Sequence, residues 1–96
     1  MEGFETIRTP RAYFEGLKDE GYTSKQRGGS RPSLCGLSVL HVTIVRGQDL
    51  PPCALAQWQG NGASSSTYTT RTFTDDAELD AWLARWSIEL GKCRKL

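Results

Sequence analysis

Long apolar runs, paired cysteines and a charge excess of either sign are all missing from this 96-residue chain, and each absence excludes something. The longest apolar stretch lies within Leu37 to Val45, far short of the roughly 20 residues a helix needs to cross a bilayer. The opening MEGFETIRTP has neither the basic nor the apolar region of a signal peptide, so the expected location is the cytoplasm, with no membrane contact. A formal net charge of +1 argues against a strong DNA-binding field over the whole molecule, and against a polyanionic mimic of nucleic acid. Cys35, Cys53 and Cys93 are odd in number, widely separated and form no C-x-x-C pair. With the lone His41 they match the close four-ligand spacing of zinc poorly. They read as reduced thiols, at least one of them buried as a small apolar side chain. Neither a metal nor a cofactor is expected.

Catalytic constellations are missing as well. GNGASS, from Gly60, looks like a broken G-x-G-x-x-G, but it leads from one strand into another and offers no helix N-terminus to a phosphate. Ser64 to Ser66 have no base beside them, and a Ser-His-acid site would have to recruit His41 from mid-strand. Asp75, Asp76 and Asp80 cluster where a helix dipole alone accounts for acids. No enzyme activity is expected.

What the chain does carry is regular patterning. Ninety-six residues suit one domain, 1–96, burying roughly 65% of the unfolded surface. RTPRAYFEGLKDEGYT predicts a helix with Thr9 as N-cap, Pro10 in the first position and Gly21 as a left-handed stop, after which Tyr22 folds back on Leu17. Residues 24–33, SKQRGGSRPS, read as a loop or frayed strand end, with a possible short strand from Tyr22 to Arg27. LSVLHVTIV, 37–45, is the strongest strand: Leu40, Val42 and Ile44 form one apolar face, and Val39, His41, Thr43 and Val45 a mixed one. Pro51 and Pro52 break the chain before CALAQWQ, 53–59, and TYTTRTFT follows as its hairpin partner. Tyr68 and Phe73 have opposite parity in that last strand, so a bulge separates them or Phe73 already belongs to the helix entry.

The closing helix opens at Thr74 or Asp75 with Glu78 in capping-box position. Leu79, Trp82, Leu83, Trp86 and Leu90 then form one stripe, which places both tryptophans in the core. Ile88 falls on the opposite face unless the helix has ended by Ser87. The expected fold class is therefore α+β, in α-β-β-β-α order. It has a three- to four-stranded antiparallel sheet, with the N-terminal and C-terminal helices packed on one face and a possible edge strand at Phe4 to Ile7.

Helix, three strands, helix resembles the element order of double-stranded-RNA-binding domains and of HicA-family toxins, over most of the chain and without a residue motif. The HicA family's working histidine follows a Gly-Ser in its early strand. GGSRPS offers an arginine there, so that activity does not carry over. Charge supplies the other clue. Residues 22–47 hold Lys25, Arg27, Arg31 and Arg46 and no acid, residues 72–90 hold five acids and Arg85, and the tail GKCRKL adds three bases. Solvated loops and tails account for such a pattern, and so do opposed patches that meet a partner. The expected function is a small non-catalytic protein-binding module for a larger protein or nucleoprotein complex. Its candidate contacts are Lys25, Arg27, Arg31, Asp76, Asp80 and Ile88. The alternative is a nucleic-acid-binding domain that uses the basic 24–33 loop. In general style the chain looks like the small stand-alone proteins of phages and mobile elements, some of which, anti-CRISPR proteins among them, bind and block a host defence complex.

Overall fold

A computed structural model describes residues 3–29, 38–60 and 67–96. In chain order the elements are β1 (Glu5–Ile7), α1 (Pro10–Glu20), β2 (Tyr22–Gly29), β3 (Ser38–Gly47), β4 (Cys53–Gly60), β5 (Thr67–Thr72), α2 (Asp76–Arg85) and β6 (Glu89–Lys95). The strands form one six-stranded sheet in the order β1-β5-β4-β3-β2-β6, with every neighbouring pair antiparallel. This corrects the expected three- to four-stranded sheet with a helix at each end: the described residues are mostly β, with two short helices. The α-β-β-β-α likeness to RNA-binding domains and HicA toxins ends here too, because β1, a full-length β2 and β6 do not belong to that order.

The helices also lie on opposite faces of the sheet. Successive strand residues point to opposite sides. On one side Leu40, Val42 and Ile44 of β3 are fully buried beside Ala54 and Ala56, their neighbours on β4. Leu79, Trp82 and Leu83 of α2 close over this surface, completed by Phe73 and Ile88. Phe4, just before β1, packs against the rings of Trp82 and Phe73 at 5.3 and 6.4 Å between centroids. On the other side the paired residues Val45 and Cys53 meet Leu17 of α1 and Tyr22 of β2. Ile44 and Val45 are consecutive, so two helices that each bury one of them cannot share a face.

Both helix ends have identifiable stops. Gly21 takes φ 108° and donates its N–H to the carbonyls of Leu17 and Lys18, which lets Tyr22 turn onto Leu17. At the start of α2, the Asp75 carboxylate accepts the Glu78 N–H at 2.8 Å. Thr74 donates to one Glu78 oxygen at 2.9 Å and Arg71 to the other at 2.7 Å. Phe73 lies outside β5, in the helix entry, and is fully buried.

The far end of α2 departs from the helical stripe. Ser87 adopts φ 54°. Its N–H reaches the Ala84 carbonyl, and the Ile88 N–H reaches that of Leu83 at 2.9 Å. This is a Schellman ending with Ser87 in the left-handed seat, and the Ile88–Leu83 contact that accompanies it is part of the core. The chain then reverses into β6, which pairs with β2. Leu90 still packs on the core, but from a strand, and Trp86 is half-buried at the core margin.

Three substitutions test this packing. Trp82→Ala should cost about 3–5 kcal/mol in denaturant unfolding, and Trp86→Ala, half-buried, about half as much. Ser87→Gly should raise stability by about 1 kcal/mol, since glycine carries no penalty at positive φ. A destabilised glycine variant would refute the left-handed ending.

Candidate functional site

α1 covers only part of its face of the sheet, around Val45 and Cys53. Beyond it the strands carry a polar row on the same side: Arg27 of β2 opposite Thr43 of β3, and Gln57 of β4 opposite Tyr68 of β5. Lys25, two residues before Arg27, shares that side. Together with Pro10 and Phe14 of α1 these side chains line a cleft of about 260 Å³ with Leu55 among its walls. Among the described residues no carboxylate lines it. The Lys25 ammonium lies 5.8 Å from the centre of the Phe14 ring, a cation–π contact that holds it at the rim.

β6 adds a third cation. Arg94 stands directly opposite Lys25 across the β2–β6 pair. Like charges facing each other on one side of a sheet repel. Among the described residues, the ion pairs are Arg11–Glu15, Arg46–Asp76 and Arg71–Glu78, so no carboxylate pairs with Lys25, Arg27 or Arg94. Three cations therefore flank a cleft walled by two aromatic rings, an amide and two hydroxyls. That set suits an anionic ligand with flat or apolar parts.

The structure brings only part of the expected contact set together. Lys25 and Arg27 meet, in a strand rather than a loop. Arg31 lies outside the described residues. Asp76 sits at the start of α2, on the other face, where it pairs with Arg46. Asp80 is exposed on α2, away from the cleft. Ile88 is a correction: only 8% exposed, it belongs to the core, because α2 ends before it and the reversal at Ser87 turns it inward. Phe14, Gln57, Tyr68 and Arg94 were missed as site residues. The odd parity of Tyr68 against Phe73 is the one signal in the chain that sets Tyr68 on the side away from α2.

In two other places the polar groups are committed to structure. A cavity of about 540 Å³ beside α2 includes Arg71, Glu78, Trp82 and Trp86 in its wall, and its Arg71 and Glu78 are bonded to each other. Under α1 the Tyr22 hydroxyl donates to the Pro51 carbonyl at 2.6 Å, and the Cys53 thiol donates to the Tyr22 hydroxyl oxygen at 3.3 Å. Burial, then the hydrogen bond to Cys53, pushes the Tyr22 phenol well above the usual tyrosine range. Burial first, and then Cys53, moves Tyr13 in the same direction. Among the described residues no three His, Cys, Asp or Glu side chains are placed to hold a metal ion. No described helix is long and apolar enough to cross a membrane. No protein-family model, curated protein or solved structure matches the chain.

The raised phenols set a pH response. An unfolded tyrosine loses its proton near pH 10, whereas the folded chain holds that of Tyr22 to higher pH. The stability contributed by the buried phenol is therefore complete below about pH 10 and falls as pH rises further. Urea midpoints between about pH 9 and 11 should decline in the parent and decline less steeply in Tyr22→Phe. Parallel slopes would mean that Tyr22 is not held protonated.

Proposed function

We propose that this chain is a small, non-catalytic binding module of the cytoplasm, and that the half-covered sheet face recognises an acidic surface on a larger protein or nucleoprotein partner. One observation carries the reading: Lys25, Arg27 and Arg94 share a face without a counter-charge among the described residues, beside the aromatic cleft. An interface that neutralises them relieves their repulsion, and charges of this kind act mainly on encounter rate and on selection of the partner. Inhibition of a host defence complex by a phage-borne or mobile-element protein is a role that fits such a module, because blocking a surface needs no chemistry.

Nucleic acid is the second reading, and Tyr68 and Phe14 beside the cations favour it. Aromatic rings next to a basic track are what single strands stack on. Duplex is less well served, since the cations lie on a sheet face rather than on a helix or ribbon that enters a groove.

Affinity capture from a bacterial lysate, with and without nuclease, separates the two, and Lys25→Glu/Arg27→Glu tests the face. The double variant should keep its melting behaviour within about 1 kcal/mol of the parent. It should associate with the captured partner more slowly and with a weaker salt response. If the partner is nucleic acid, capture disappears with nuclease and the log–log salt slope flattens by about one unit for each lost phosphate contact. Unchanged binding by the double variant would remove this face from the site.

A further inference from the structure

The two edges of the sheet are unequal. β1 is a three-residue strand, whereas β6 runs for seven residues and exposes all but one of them. Among the described residues, β6 pairs with β2 on one side and has no neighbour on the other. The direction of its free backbone groups follows from one bond. The Leu96 N–H donates to the Thr23 carbonyl at 2.9 Å, so Leu96 turns its main chain inward, toward β2. Arg94, two residues back and opposite Lys25, does the same, and by alternation Cys93 and Lys95 direct their N–H and C=O groups outward. These are the groups with which an added strand would pair.

Charge decides which strand that is. β6 carries Lys92, Arg94 and Lys95 against Glu89 alone. A second copy pairing β6 with β6 would bring six cations onto one seam, and like charges opposite each other destabilise a strand pair. The cations that repel a second copy attract an acidic chain. They also lie on both sides of the strand, since Arg94 faces the Lys25 side and Lys95, opposite Ser24, the α2 side.

We infer that the outer edge of β6 is a strand-addition site for an extended acidic segment of a partner protein, paired through the main chain of Cys93 and Lys95. This rests on the protein-binding reading but uses a different surface from the cleft. The neighbouring bulge, where Gln26 opposes Cys93 and Gly28 opposes Leu90, sets the limit of regular pairing and confines the site to the C-terminal half of β6.

The probe is a blocked heptapeptide of alternating Glu and Val added to the isotope-labelled full chain. Two controls accompany it: the same peptide with Lys for Glu, and a heptapeptide of Glu alone. The amide signals of Cys93 and Lys95 should shift saturably with the Glu/Val peptide only, and their hydrogen exchange should slow by about tenfold or more on saturation. Cys93→Pro and Lys95→Pro each delete one outward donor on an edge where proline is tolerated, and each should weaken binding by about three- to tenfold. A variant that fails to melt like the parent is replaced by the other, and the exchange readout on the parent needs neither. Unmoved Cys93 and Lys95 amides, or an equal response to the Lys peptide, would overturn the inference. A response confined to Lys25, Arg27 and Tyr68 would overturn the edge and leave the cleft reading standing. The reverse, with edge amides responding while Lys25→Glu/Arg27→Glu holds its captured partner unchanged, would sink the cleft and leave the edge.

Discussion

Strict alternation along β3 and β4 is the constraint on which the rest of this structure depends. Leu40, Val42 and Ile44 with Ala54 and Ala56 make a dry surface on one side, and the next residue along each strand belongs to the other. α2 can bury its stripe only against the first side. α1, with its smaller apolar face, is left to the second, where Val45, Cys53 and Tyr22 give it a limited seat. The two sides thereby diverge in character, one closed around large aromatics and the other only partly roofed.

That divergence places the candidate site. The uncovered part of the α1 side need not contribute apolar area to the fold, so it can hold Lys25, Arg27, Thr43, Gln57 and Tyr68. On the α2 side charges find partners at the rim, as Arg46 does with Asp76 and Arg71 with Glu78. Arg94 opposite Lys25 has no such partner among the described residues, and like charges facing each other lower stability slightly in the free protein. Under the proposed reading, an acidic partner would neutralise these cations.

Much of this order was legible where local rules act alone. The Thr9–Pro10 start, the Gly21 stop, the apolar face of β3, the Asp75 cap and an edge strand near Phe4 to Ile7 each follow from a few adjacent residues. β6 was not legible, because Leu90 continues the helical spacing of Leu79, Trp82, Leu83 and Trp86. The residue that ends the helix is Ser87, not the usual glycine or asparagine. β2 was obscured by Gly28 and Gly29, which read as loop punctuation. Gly28 is required by packing instead: a Cβ there would lie 2.5 Å from the Glu89 carbonyl oxygen, so its absence lets β6 approach. With β6 unseen, Arg94 stayed in a tail, and Ile88 seemed to face solvent.

Denaturant unfolding of two neighbouring variants, Ile44→Ala and Thr43→Ala, tests the two-sided sheet most directly. Ile44 is fully buried under α2, and Thr43 lines the cleft on the other side. Ile44→Ala should lose about 2–5 kcal/mol and Thr43→Ala less than about 1 kcal/mol. Equal losses at the two positions would contradict a sheet with one sealed face and one free to bind.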